Sequence, residues 1–205
     1  MKKWIAGAAI ALAFTASPAL ASPDVNKAAP EFTAITADGK TIDLKSLRGK
    51  IVVLEWTNHE CPYVRMHYNA DNMQTLQREA KTAGQPQIVW LQVISSQPGK
   101  QGYLDGASAI KVNTERKAVP ANTILDPQGK LGQLYGAQTT PHMYIIDAEG
   151  KLVYKDGIHS IPSSRPDSLP KAVNYVRESL QAIAANKPVP NPSTRAYGCT
   201  IHYGS

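Results

Sequence analysis

Three groups in this 205-residue chain have the types and spacing to do chemistry together: a cysteine at the start of a helix, a carboxylate in the strand before it, and a distant Thr-Pro pair. Cys61 follows an aliphatic run, Ile51-Val52-Val53-Leu54, that continues through Glu55-Trp56 into the polar stretch Asn58-His59-Glu60. The pattern predicts a buried strand before this stretch and a helix beginning Cys61-Pro62-Tyr63-Val64 after it. A helix N-terminus carries about half a positive charge and its first N–H groups lack partners, so a thiolate there is favoured over a thiol. Pro62 suits the first helical position, where a missing N–H loses no bond. The chemistry this points to is that of a redox-active nucleophilic sulfur. The competing reading is a buried cysteine acting as a small apolar residue. The polar residues ahead of Cys61 argue against it, because active groups collect in such loops.

The elements around Cys61 are expected to belong to an exported chain. Residues 1–21 have the zones of a secretory leader: Met1-Lys2-Lys3, an apolar stretch, and Ala19-Leu20-Ala21 as a cleavage signal. The apolar stretch falls short of the about 20 residues that a span needs, so we expect cleavage before Ser22 and no stable membrane anchor afterwards. The expected compartment is a bacterial periplasm. Without Lys2 and Lys3, the 22 basic residues become 20 against 16 acidic ones. That excess is small and scattered, and gives no reason to expect a nucleic acid partner. Cys61 and Cys199 are the chain's two cysteines. In an oxidising compartment they are a candidate disulfide, either a structural staple or a redox bond.

Residues 29–32 and the turn Ala37-Asp38-Gly39-Lys40 predict two short strands in a hairpin. The helix after Cys61 is expected to carry Met66, Met73, Leu76 and Ala80 on one face. A second buried strand follows at 87–94, then a helix at 107–112, a short strand at 123–125 and a helix at 129–135. An antiparallel hairpin covers 143–154. A last helix is expected to open near Asp167-Ser168, with Leu169, Val173, Val176, Leu180 and Ile183 on one face. This order describes an α/β protein with a central mixed β-sheet, helices on both faces, an N-terminal β-hairpin extension and a C-terminal tail, which is the thioredoxin-like layout. The expected divisions are the leader at 1–21, one domain at 22–187, and a flexible tail at 188–205 carrying Cys199.

Over about 29–183 the chain resembles the thioredoxin-like redoxins, in particular the peroxiredoxin-like branch of the alkyl hydroperoxide reductase and thiol-specific antioxidant family. The resemblance rests on Ala29-Pro30-Glu31-Phe32, Leu47-Arg48-Gly49-Lys50, Asn58-His59-Glu60-Cys61-Pro62, Tyr135-Gly136-Ala137, Thr140-Pro141, and Ile145-Ile146-Asp147 with Gly150-Lys151. The tail Gly198-Cys199-Thr200-Ile201 also looks like endings in that branch. The resemblance implies a cis peptide at Thr140-Pro141 beside Cys61, with the backbone there offering an edge to an extended thiol substrate. It also matches Glu55 to a buried acid that relays protons. From its residues alone, Glu55 is open between that role, with a pKa raised by burial, and a carboxylate reaching solvent or a lysine.

The departures from the family pattern are specific. Thioredoxins have a second cysteine where this chain has Val64, so no local Cys-x-x-Cys bond can form. Peroxiredoxins have Thr and Pro where this chain has Asn58 and Leu54. Asn58 can still donate a hydrogen bond, and Arg65 or Arg116 are candidate partners for a peroxide. The resemblance implies a thiol oxidoreductase without a bound cofactor. Cys61 would attack a small-molecule peroxide or a protein disulfide, Cys199 would resolve the product, and a thiol reductant would complete the cycle. Three alternatives stand beside this: disulfide exchange without peroxidase activity, a copper site from His59, Cys61 and His142, and a non-catalytic module locked by a Cys61–Cys199 bond.

Overall fold

The computed structural model describes residues 22–82, 84 and 86–204; the expected leader lies outside them. In chain order the elements are β1 (Thr33–Thr36), β2 (Thr41–Asp43), β3 (Ile51–Trp56), α1 (Pro62–Asn69), α2 (Asn72–Thr82), β4 (Ile88–Ile94) and α3 (Gly106–Glu115). Then follow β5 (Asn122–Leu125), α4 (Lys130–Tyr135), β6 (Thr139–Thr140), β7 (His142–Ile146), β8 (Leu152–Asp156), α5 (Tyr175–Ala184) and β9 (Cys199–Thr200). Seven strands form one sheet in the order β2-β1-β5-β4-β3-β7-β8, and β6 pairs separately with β9. β3, β4 and β5 run parallel, while β7 joins β3, and β1 joins β5, antiparallel. This is the mixed sheet of the thioredoxin-like fold.

All six residues of β3 are buried, as its unbroken apolar run requires of a strand covered on both faces. Its side chains alternate between two cores. Val52, Leu54 and Trp56 enter a core closed by Leu131 and Tyr135 of α4, by Phe32 and by Ile201 of the tail. Ile51 and Val53 enter the second core with Cys61, Val64 and Tyr68, Met73, Leu76 and Ala80 of α2, and Val176 of α5. Parity sends Glu55 to this second side. In the first core Trp56, Tyr135 and Tyr144 stack with ring centroids 5.1–5.7 Å apart, an arrangement favoured beyond simple burial.

Three elements differ from the sequence expectation. The helix after Cys61 is two helices, broken where Asp71 adopts a left-handed backbone, φ 54°. Gln74 Nε2 donates to the Tyr68 carbonyl at 2.8 Å and so satisfies the freed end of α1. Met73, Leu76 and Ala80 line the sheet from α2, whereas Met66, on α1, lies against Ser168. The last helix starts at Tyr175 and not near Asp167. Residues Pro166–Lys171 form a 3₁₀ turn, and Asn174 caps the helix by accepting from Arg177 N at 3.0 Å. Val173 is drawn into extended pairing with Ser160, which leaves its side chain exposed and off the apolar face.

The third difference is the tail, expected to be flexible and found docked along the domain. Pro192 O accepts from Lys155 N, Ile201 N donates to Gln138 O, and Gln97 N donates to His202 O. The Tyr203 ring lies against Gly129 and Gly132, where a Cβ would collide with it, and its hydroxyl donates to Ala137 O at 2.6 Å. Ile201 is a core residue by this account. Truncating it as Ile201→Ala should lower the unfolding free energy, measured by urea denaturation, by about 2–4 kcal/mol. A side chain on a loose tail would cost close to nothing.

Candidate active site

Cys61 is the N-cap of α1, with extended backbone and Pro62 in the first turn. Its carbonyl accepts from Arg65 N at 2.8 Å, opening the helix, and its own N–H donates to Asn58 O at 3.1 Å. Asn58 is buried, and its side-chain oxygen accepts from Glu60 N at 2.9 Å, a local turn that fixes the approach to the helix. Glu60 in turn accepts from Gly102 N at 2.7 Å. The Cys61 side chain has no exposed surface.

Cys61 is joined to Cys199 by a disulfide, with 5.9 Å between the Cα atoms. The tail makes this possible by adding a strand. β9 pairs antiparallel with β6, with Thr140 opposite Cys199 and Thr139 opposite Thr200. Thr140-Pro141 is a cis peptide, and the Thr140 carbonyl oxygen lies 3.1 Å from Cys61 Sγ. In the disulfide, that sulfur has no proton to donate, so this is a close approach rather than a hydrogen bond. Gly198, φ 135°, passes so near the Thr140 carbonyl that a Cβ there would collide with it. Tyr197 then stacks on Tyr63 of α1 and on His159, with centroids 5.8 and 5.4 Å apart. Cys199 is only half-buried, so of the two bonded residues it is the one solvent reaches.

Glu55 is fully buried and reaches neither solvent nor a lysine. It accepts from Tyr68 OH at 2.6 Å, Trp90 Nε1 at 2.7 Å and Gln77 Nε2 at 3.2 Å. Burial pushes its carboxyl up, while the Arg116 charge and these donors pull against that. The Arg116 guanidinium stacks on the Tyr68 ring, 3.7 Å from its centroid, and Arg65 is exposed on the outer side of α1. Among the described residues, the one polar partner recorded for Cys61 Sγ is the Thr140 carbonyl, so neither arginine is brought to the sulfur.

The copper alternative loses a ligand. His142 has both ring nitrogens engaged, Nδ1 accepting from Gln138 N and Nε2 facing Asp156 Oδ1, each at 3.1 Å. Burial opposes ionisation of Asp156, but the His142 and Ser193 hydrogen bonds outweigh it and lower its pKa. Among the described residues, no group of three or more His, Cys, Asp or Glu side chains could hold a metal ion.

Several residues of the site carry no sequence signal. His67 and His159 stack with centroids 4.9 Å apart beside Tyr197. His67 Nδ1 meets Asn72 Nδ2 at 2.7 Å, and His159 Nδ1 accepts from Ile161 N at 3.2 Å. Burial holds both neutral, His67 down to about 3 and His159 to about 4.

A sheet of this topology, with a sulfur at a helix N-terminus beside a cis proline and bonded to a second cysteine, defines a thioredoxin-fold thiol oxidoreductase. The chain belongs to the AhpC/TSA family, whose model it matches over residues 25–155. No curated protein matches it. Among solved structures it is similar to an uncharacterized conserved protein from Geobacillus kaustophilus, at 22% identity over 88% of this chain and 93% of that one, TM-score 0.70. A hypothetical protein from Sinorhizobium meliloti 1021 is similar at 18% identity over 90% and 97% of the two chains, TM-score 0.72. The thioredoxin domain of a thiol-disulfide oxidoreductase from Bacteroides vulgatus is similar at 20% identity over 73% and 98%, TM-score 0.51. At these identities the structures establish the shared fold.

Two predictions follow from this geometry. Gly198→Ala should push the tail strand off Thr140, and air-oxidised protein should then keep two alkylatable thiols by intact mass where the parent keeps none. The buried histidines bind no proton in the fold over a range where the unfolded chain does, so stability is fully present above their usual value of 6.5 and is lost as pH falls. Between pH 7 and 5, above the carboxylate range, unfolding free energy should drop by about 2 kcal/mol for His67 and by less for His159. A His67→Gln, His159→Gln double variant should flatten that slope in urea titrations.

Proposed function

We propose that this protein is an exported thiol–disulfide oxidoreductase that cycles between a Cys61–Cys199 disulfide and a dithiol. The observation that carries this reading is the pairing of Cys199 with Thr140, which holds the second sulfur against the first through backbone contacts. A bond used only as a staple needs no sulfur at a helix N-terminus. In the reduced protein the Cys61 thiolate attacks a substrate disulfide. A bond forms to one substrate sulfur, and the other leaves as a thiolate. The Cys199 thiolate then attacks Cys61 Sγ, the second substrate thiolate leaves, and the substrate has gained two electrons while the Cys61–Cys199 bond re-forms.

Regeneration runs through the other sulfur. An external thiolate meets Cys199, which solvent reaches, while Cys61 is enclosed. Cys61 is then the leaving group, since a thiolate at a helix N-terminus leaves readily, and a second thiolate of the reductant attacks its own sulfur in the mixed disulfide and releases Cys199 as a thiolate. A substrate strand occupying the Thr139–Thr140 edge takes the place that β9 holds in the disulfide form. Family membership supports a second reading, in which Cys61 attacks a peroxide oxygen, an alcohol or water leaves, and the sulfenic acid formed condenses with Cys199 with loss of water. Against it, the Thr140 carbonyl beside the sulfur is an acceptor that gives a peroxide no donor. Export rests on the sequence of residues 1–21, and a mature N-terminus at Ser22 in periplasmic extracts would bear it out.

The test is to mix fully reduced mature protein with stoichiometric hydrogen peroxide, or with an oxidised protein disulfide, and follow products by intact mass. We expect the Cys61–Cys199 bond to form rapidly with the protein disulfide, and peroxide to consume thiols no faster than it consumes a free cysteine. Rapid passage through a Cys61 sulfenic acid with peroxide would instead establish the second reading. Inertness toward both oxidants would leave the bond a staple.

A further inference from the structure

The hydrogen bonds around Glu55 can be assigned a direction one by one, because two ends of the network are chemically fixed. Arg116 donates only, and its Nε and Nη2 reach Asn113 Oδ1 at 3.1 and 2.8 Å. Asn113 therefore turns its amide nitrogen toward Gln92 Oε1, at 2.8 Å, and toward Thr123 Oγ1, at 2.9 Å. Thr123 donates onward to the same Gln92 oxygen at 3.0 Å. Gln92 is thus oriented with Nε2 donating to Tyr68 OH at 2.6 Å. At the other end the Val119 backbone N–H donates to Gln77 Oε1 at 2.8 Å. Gln77 is thereby left to donate through Nε2 to Tyr68 OH and to Glu55, each at 3.2 Å.

The Tyr68 oxygen now receives two donors, which fill its acceptor capacity, and its single proton is directed at Glu55 Oε1, 2.6 Å away. Trp90, which can only donate, supplies the third bond. Glu55 thus faces three donors, and its recorded partners offer no acceptor for a proton of its own. We propose that Glu55 is held as a carboxylate anchor, with Arg116 as its counter-charge across the Tyr68 ring, and that it positions helix α1 and carries no proton to or from Cys61. Tyr68 belongs to α1, whose N-cap is Cys61, so the anchor ties the end of that helix to β3 and β4.

The groups facing the carboxylate are Tyr68 from α1, Gln77 from α2 and Trp90 from β4, with Met143 opposite it on β7 and Arg116 beyond the Tyr68 ring. Burial raises Tyr68 well above the usual phenol range, which keeps it a donor at every working pH. Burial also works to raise Glu55, and a donor-only network with a stacked guanidinium is the opposing device. The proposal is independent of whether the cysteine pair acts on disulfides or on peroxides.

Difference infrared spectroscopy on the reduced, full mature protein tests it without reference to activity. At pH 7, subtracting Glu55→Gln from the parent should remove carboxylate bands and no protonated-carboxyl band. A protonated-carboxyl band present in the parent at pH 7 and lost in Glu55→Gln would overturn the proposal. Arg116→Met keeps Glu55 and changes a half-buried side chain, so it guards against a Glu55 variant that fails to fold. In Arg116→Met a buried carboxyl should titrate at least about one unit higher than in the parent, and Arg116→Lys should recover part of that shift. A titration unchanged in Arg116→Met would also sink the idea, because the counter-charge would then do nothing.

Discussion

The antiparallel pairing of Thr140 with Cys199 is the contact on which the arrangement of both sulfurs rests. One residue of β6 turns its carbonyl toward Cys61 Sγ, pairs with the backbone of Cys199, and precedes the cis peptide that leads into β7. The reactive centre is therefore assembled from three segments far apart in sequence. Backbone hydrogen bonds do the assembling, so β9 needs only the sulfur of Cys199, and just before the strand Gly198 is required because only a hydrogen fits against the Thr140 carbonyl.

Behind this surface two different cores divide the labour. The first is apolar and aromatic, with Trp56, Tyr135 and Tyr144 at its centre, and it absorbs Ile201 as though the tail were one of its own elements. The second is apolar around Met73, Leu76 and Val176 but carries the buried polar cluster on Glu55. Alternation along β3 creates the division, since Leu54 and Trp56 face one way while Glu55 faces the other. The helix that presents Cys61 is thus fastened by directional bonds on the side where the chemistry lies.

Local patterns in the sequence revealed the parts whose causes are local. Five aliphatic and aromatic residues among the six of β3 dictate a covered strand, Cys61-Pro62 marks a helix start, and the Asp-Gly turn at 38–39 marks the first hairpin. The break at Asp71 has no glycine or proline to announce it, and apolar spacing runs straight through it. The start of α5 was hidden because Pro170 and Val173 fit a helical pattern, whereas bridging to residues 158–160 pulls Val173 into extended backbone. Cys199 could be named as a partner by counting, but not as a docked strand residue, since two residues have no periodicity to read. Tyr68, Gln77 and Trp90, which bond Glu55, come from three separate elements, and nothing in a linear pattern joins them.

The Cys61–Cys199 bond spans 138 residues and so encloses everything from α1 to the tail. Closing a loop of that length removes on the order of 5 kcal/mol of chain entropy from the unfolded state, comparable with the whole stability of many domains, about 5–15 kcal/mol. Under the proposed cycle, each turnover passes through a form whose unfolded state is no longer constrained. That cycle would link electron flow to protein lifetime: a chain left without oxidant for long periods would open more often, and quality-control proteases would meet it more often as a substrate.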